Sequence, residues 1–103
     1  MTPEPGILSE TGTKTDQEIW EPKMYRVILH NDDYTTMDFV IDVLISVFHK
    51  PAAEAMQIML DVHKKGKGIC GVYTYDIAAT KVAQVHELAM RREFPLKCSL
   101  EEA

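Results

Sequence analysis

Residues 24–30, MYRVILH, alternate apolar and polar side chains and favour β-branched types, which predicts a strand. A polar turn, His30-Asn31-Asp32-Asp33, follows it directly. Beyond the turn, Met37, Val40, Ile41, Leu44, Val47 and Phe48 recur with a 3.6-residue period and predict an amphipathic helix ending before Pro51. Thr35 followed by Asp38 gives that helix a start like a capping box. Pro51 suits the first turn of a second helix. Its stripe is Ala52, Ala55, Met56, Met59, Leu60 and His63, and Gly66 and Gly68 stop it. Residues 68–75, GICGVYTY, predict a second strand. Thr74 and Asp76 open a third helix with Ala78, Val82, Val85 and Ala89 on its apolar face, ending near Pro95. Residues 96–100, LKCSL, alternate as a last short strand. The order is β-α-α-β-α-β, an α+β domain whose three strands are covered on one face by three helices.

Charge divides the chain in two. Residues 1–22 carry Glu4, Glu10, Asp16, Glu18 and Glu21 against Lys14, and mix Pro, Gly and Thr with few apolar residues. That composition predicts a flexible acidic N-terminal arm over 1–22 and a folded domain over 23–103. The domain is nearly neutral, which gives it no general affinity for nucleic acid. HKKGKG, residues 63–68, is the one basic cluster, and lysines there suit the negative end of a helix dipole. No apolar run is long enough to span a membrane, and the N-terminus lacks a signal pattern, so a cytoplasmic location is expected. Cys70 and Cys98 lack a CxxC spacing and are expected to be reduced thiols.

Candidate chemistry gathers at two places. His63 occupies a position where the second helix should place an apolar residue. Either it is a satisfied core histidine, or it stands at the rim of a pocket lined by Met59 and Val62 with a ring nitrogen free. The Asn31-Asp32-Asp33 run can likewise be an ordinary turn, since such side chains bond to nearby backbone. A metal set of His30, Asp32, Asp33 and His63 draws three ligands from one tight turn, with no spaced second pair, so no metal or cofactor is expected. Nucleophile elbows, P-loops and dinucleotide fingerprints are absent, which argues against an enzyme. A third reading is recognition of an ammonium: Asn oxygen, Asp carboxylate and neutral His nitrogen are all acceptors. A peptide α-amino group, with a pKa of about 8, is mostly protonated at neutral pH. Thr35, Met37, Val40, Met59 and Val62 would offer a deformable apolar wall beside those acceptors.

The segments PKMYRVILHNDDYTTMDFVIDVL, MLDVHKKGKGICGVYTYDIAATKVAQV and FPLKCSLEEA resemble the ClpS family, adaptors of the bacterial Clp AAA+ protease. The resemblance runs from about Pro22 to Ala103 and rests on NDDYT-x-M-[DE]-F-V, VH-x-x-GK-x-ICGV and A-x-TKVA. It implies a non-enzymatic adaptor that binds proteins whose first residue is Leu, Phe, Tyr or Trp. Such an adaptor hands them to the ClpA unfoldase, or a ClpC-type one, for degradation by ClpP. The implied fold is a three-stranded antiparallel sheet against three helices, like the C-terminal domain of ribosomal protein L7/L12, in a protein that is a monomer on its own.

By matching motif, the resemblance implies that Asn31, Asp33 and His63 hold the α-amino group, with Asp32 assisting. Thr35, Met37, Val40, Met59, Val62 and Leu96 would form the side-chain pocket, with Met37 as the gate against β-branched first residues. Asp76 and Lys81 would contact the unfoldase N-domain; Asp76 stands where the family has Glu, which keeps the charge and shortens its reach. Thr36 replaces a frequent Pro. The arm resembles the family's flexible extension, which takes part in delivery. The competing reading of this sequence is a structural or assembly module of the ribosomal-stalk fold, in which the polar turn is only a turn.

Overall fold

The computed structural model describes residues 21–103, so nearly all of the expected acidic arm lies outside the described residues. Its elements are β1 (Met24–His30), α1 (Met37–Ser46), α2 (Ala52–Lys65), β2 (Lys67–Thr74), α3 (Tyr75–Arg92) and β3 (Lys97–Glu102). This is the α+β order that the periodicity predicts. All strand pairs are antiparallel, and β1 lies in the middle of the order β2-β1-β3. Val27 and Leu29 of β1, Cys70 of β2 and Cys98 of β3 are buried on the inner face. There they meet Ala55, Ile58, Met59 and Val62 of α2 and Ala78, Val85 and Ala89 of α3. Helix α1 packs mainly against α2 and closes the core with Phe39, Val40, Val43 and Leu44. Each fully buried Leu or Val of this set stabilises the fold by about 1.5–3 kcal/mol before entropy is counted.

Three local departures from the predicted pattern have identifiable causes. Helix α1 is capped by Thr36, whose hydroxyl accepts from Phe39 N–H at 3.1 Å, one residue later than the Thr35–Asp38 spacing predicts. The Thr35 hydroxyl is unavailable because it donates to Asp32 Oδ2 at 2.7 Å. The buried stripe of α1 includes Phe39 and Val43, while Met37 is half exposed. Phe39 is drawn inward by Phe94, whose ring lies 4.9 Å away, an aromatic contact that the spacing within the helix does not encode. In α2 the buried stripe is Ala55, Ile58, Met59 and Val62, so Met56 and His63 face outward.

Close packing of α2 on β2 depends on Gly68. A Cβ there would come within 2.9 Å of Val62 Cγ2 and 3.2 Å of the Ile58 carbonyl oxygen. The register of β1 against β2 shifts by one residue between Val27 and Ile28, and Cys70 sits at this bulge. Cys98 pairs with Leu29 from the other side of β1, and both thiols are free. Burial pushes the Cys98 thiol up to about 12, and burial with the neighbouring Cys98 raises Cys70 further. Both are inert core residues.

Candidate functional site

The polar turn builds itself around Asp32. Its Oδ1 accepts from the backbone N–H of Tyr34 at 2.8 Å and of Thr35 at 2.7 Å, while Oδ2 takes the Thr35 hydroxyl. This is an Asx turn continued into a side-chain pair. Partial burial pushes the Asp32 carboxyl up, but these three donors outweigh it and hold it below the usual Asp value. Asp32 is thus committed to shaping the turn, whereas the side chains of Asn31 and Asp33 are exposed beside it.

The second half of the site arrives from α2. Gly66 ends that helix in the left-handed region, φ 92°, with its N–H donated to Val62 O. Its own carbonyl accepts from Asn31 N–H at 2.9 Å. That one backbone bond ties the end of β1 to the last two turns of α2, which carry Met59, Val62 and His63. His63 is exposed, so it is a rim residue and not a core histidine. Between the turn, the start of α1 and the end of α2 lies a hollow of about 430 Å³. Asn31, Asp32, Asp33 and His63 supply its polar rim; Thr35, Met37, Val40, Met59 and Val62 supply its wall.

Nine of the ten residues expected to form this site therefore line one hollow. The tenth, Leu96, is 4% exposed and packs in the core behind it, facing instead a shallow hollow beside α3 that includes Ala83, Met90 and Phe94. Two further residues line the site that pattern and motif did not assign, Tyr34 and Thr36. Tyr34 is 77% exposed beside the acceptors. The signal available in the sequence was its place between Asp33 and Thr35, two residues already assigned to the site. Among the described residues, no group of three or more His, Cys, Asp or Glu is placed to hold a metal.

The other expected contact surface lies on α3. Asp76 is exposed in its first turn, flanked by exposed Tyr75 and Ile77. Lys81 is not freely presented. Its Nζ donates to the Val47 carbonyl at 2.7 Å and stands 5.8 Å from the Tyr73 ring centroid. It thereby caps the C-terminal end of α1, where the orphan carbonyls and the helix dipole favour a cation.

Known proteins resemble this chain in sequence and in fold. A family model described as ATP-dependent Clp protease adaptor protein ClpS matches residues 20–99. The ATP-dependent Clp protease adapter protein ClpS of Syntrophus aciditrophicus is 62% identical over 93 residues, covering 90% of this chain and 87% of that one. That of Acetivibrio thermocellus is 62% identical over 88 residues, covering 85% and 89% respectively. The structure of Agrobacterium tumefaciens ClpS2 bound to L-phenylalaninamide superposes with a TM-score of 0.78 at 36% identity. The match covers 81% of this chain and all of that one. A family match over most of the chain, relatives at this identity and a shared tertiary fold lead to one conclusion: the chain belongs to the ClpS family of Clp protease adaptors.

Proposed function

We propose that this adaptor captures proteins through a free N-terminus whose first residue is Leu, Phe, Tyr or Trp. It delivers them in the cytoplasm to the N-domain of a ClpA- or ClpC-type unfoldase for degradation by ClpP, and itself catalyses nothing. The observation that carries this reading is the union, in one hollow, of acceptors on Asn31, Asp33 and His63 with a wall of Met37, Val40, Met59 and Val62. An ammonium has three donors and no acceptor, and the three side chains can each offer it an acceptor. The apolar wall then reads the side chain on the same Cα. L-phenylalaninamide, bound by the Agrobacterium relative, carries those two features: a free α-amine and a bulky apolar group.

The energetics are sufficient for specific but reversible capture. Burying a Leu or Phe side chain contributes about 1.5–3 kcal/mol, and each charge-assisted hydrogen bond about 1.5–3 kcal/mol. Ordering the peptide offsets part of this. Asp32 contributes its charge and the shape of the turn. Met37, half exposed on the lining of the hollow, acts in this reading as the gate against β-branched first residues. Asp76, with Tyr75 and Ile77, is the surface offered to the unfoldase, and Lys81 completes it while holding α1 in place.

The test is a fluorescence titration with a Leu-starting peptide and its N-acetylated twin. Wild type binds the free peptide, and the acetylated one weakens by at least two decades, since it loses the charge and leaves acceptors unpaired. His63→Ala weakens the free peptide by roughly tenfold to a hundredfold, the loss of one charge-assisted bond, with unfolding unchanged. Equal affinity for the two peptides would overturn the reading.

A further inference from the structure

The Asn31–Tyr34 turn stands between two hollows. One is the candidate site; the other, of about 470 Å³, is lined by His30, Pro95 and Lys97 besides the turn itself. Asn31, Asp33 and Tyr34 are exposed, so no packed core backs the turn and holds it in place. The bonds from Tyr34 and Thr35 to Asp32 keep its internal shape. Where the turn sits is decided at its two ends, the start of α1 and the root at His30 and Asn31. That root carries two bonds outside the strand ladder. On the α2 side, Asn31 N–H donates to the Gly66 carbonyl at 2.9 Å. On the β3 side, His30 Nε2 and Ser99 Oγ share a hydrogen bond of 2.6 Å. His30 follows the buried Leu29, so it points to the sheet face away from the core. Ser99 pairs with Ile28 on that same face, and the imidazole reaches it diagonally across the strands. Either ring tautomer can make the bond, because a hydroxyl both donates and accepts.

We infer that His30 is a positioning residue for amine capture: tied to Ser99, it fixes the root of the turn and so the spacing of Asn31 and Asp33 from His63. His30 lines the hollow behind the turn and not the candidate site, so it acts only through its neighbours. Acceptors that share one ammonium must hold their places to within about 0.5 Å. Asn31 and Asp33 ride on the turn, whereas His63 rides on α2. A small rotation at the root therefore changes every distance between the two sets. The apolar wall is different, because Met37 and Val40 belong to α1 and Met59 and Val62 to α2. Loosening the root weakens the grip on the amine and leaves the reading of the side chain as it was. The inference rests on the amine-receptor reading and adds to it a residue from outside the hollow.

The experiment titrates wild type, His30→Ala, Ser99→Ala and the double variant with a Leu-starting peptide, its N-acetylated twin and an Ala-starting peptide. Each single variant binds the free Leu peptide about threefold to tenfold more weakly, the effect of one ordinary hydrogen bond. The double variant binds it no more weakly than either single one, because both substitutions remove the same bond. The ratio of Leu to Ala affinity stays at its wild-type value. His30→Gln, which keeps a hydrogen-bonding group towards Ser99, recovers most of the loss. Ser99 is exposed, so Ser99→Ala decides the matter on a folded domain even where His30→Ala lowers the unfolding temperature. Wild-type affinity in Ser99→Ala or additive losses in the double variant overturn this inference alone. A Leu-to-Ala ratio that falls together with the affinity does the same, since it marks a general loosening of the domain. Equal binding of free and acetylated peptide by wild type overturns the underlying reading and this one with it.

Discussion

The backbone N–H of Asn31 donates to the carbonyl of Gly66 across 2.9 Å, joining two residues thirty-five positions apart. One follows the last residue of β1 and the other ends α2, and the candidate site is the space their junction encloses. Every polar acceptor of the rim lies within three residues of one or the other. The bond can form because Gly66 takes φ 92°, which turns the chain sharply from α2 into β2.

Gly66→Ala forces an L side chain into that left-handed cap, at a cost of about 1–2 kcal/mol. The expected result is a fall in Tm of roughly 4–15 °C for a domain of this size, with peptide binding weakened as the turn and α2 lose their tie. Urea unfolding beside Lys65→Ala, an exposed neighbour, isolates the backbone effect. A change within about 0.5 kcal/mol would show that the cap relaxes into another conformation.

Met37 is 46% exposed, so its truncation leaves no core cavity, and stability changes by less than about 0.5 kcal/mol. Selectivity is the property that changes. Met37→Ala is expected to raise the affinity of Ile- and Val-starting peptides about tenfold, a gain of about 1.4 kcal/mol, while Leu-starting peptides change little. Unaltered discrimination in the variant would remove Met37 as the gate.

Asp32 links the site to pH. Its carboxyl is a stronger acid in the folded protein than unfolded, because donors from Thr35 and Tyr34 outweigh its partial burial. Its contribution to stability is therefore complete above the unfolded value, about pH 4, and is lost as pH falls through the lowered folded value. Asp32→Asn keeps the shape and removes the charge. Denaturant unfolding of variant and wild type should differ at pH 6 and converge towards pH 3. A constant difference across that range would assign the loss to geometry and not to ionisation.

Lys81 makes a structural prediction where motif matching sees only a docking residue. Lys81→Met removes the donor to the Val47 carbonyl but retains the aliphatic contact with Tyr73, and is expected to destabilise the domain by about 1–2 kcal/mol. Asp76→Asn, with no such bond through its side chain, should leave stability unchanged while weakening binding to an unfoldase N-domain. Equal stability of Lys81→Met and wild type would show that the cap bond contributes nothing.

Where the amino-acid pattern succeeded, the determinant was local. The strand at 24–30, the breaks at Pro51 and Gly66 and the helical periods are set by steric and hydrogen-bonding preferences within a few residues. The pattern failed at Thr35 and Thr36, where either threonine can cap α1 and the choice falls to the reach of Asp32. It was blurred on α1, where Met37 and Phe39 are both apolar and the Phe94 ring decides which one is buried.

What this sequence determined by itself was the list of elements and the cluster of acceptors in one turn, because both depend on near neighbours. The tertiary structure alone decided that β1 is the central strand, that His63 faces out at the rim, and that Leu96 stays behind the hollow. It alone also set Lys67 and Lys97 on either side of His30. These outcomes depend on pairings between segments thirty to seventy residues apart. Chain spacing carries no distance information at that range, and only the joint packing of sheet and helices selects one arrangement.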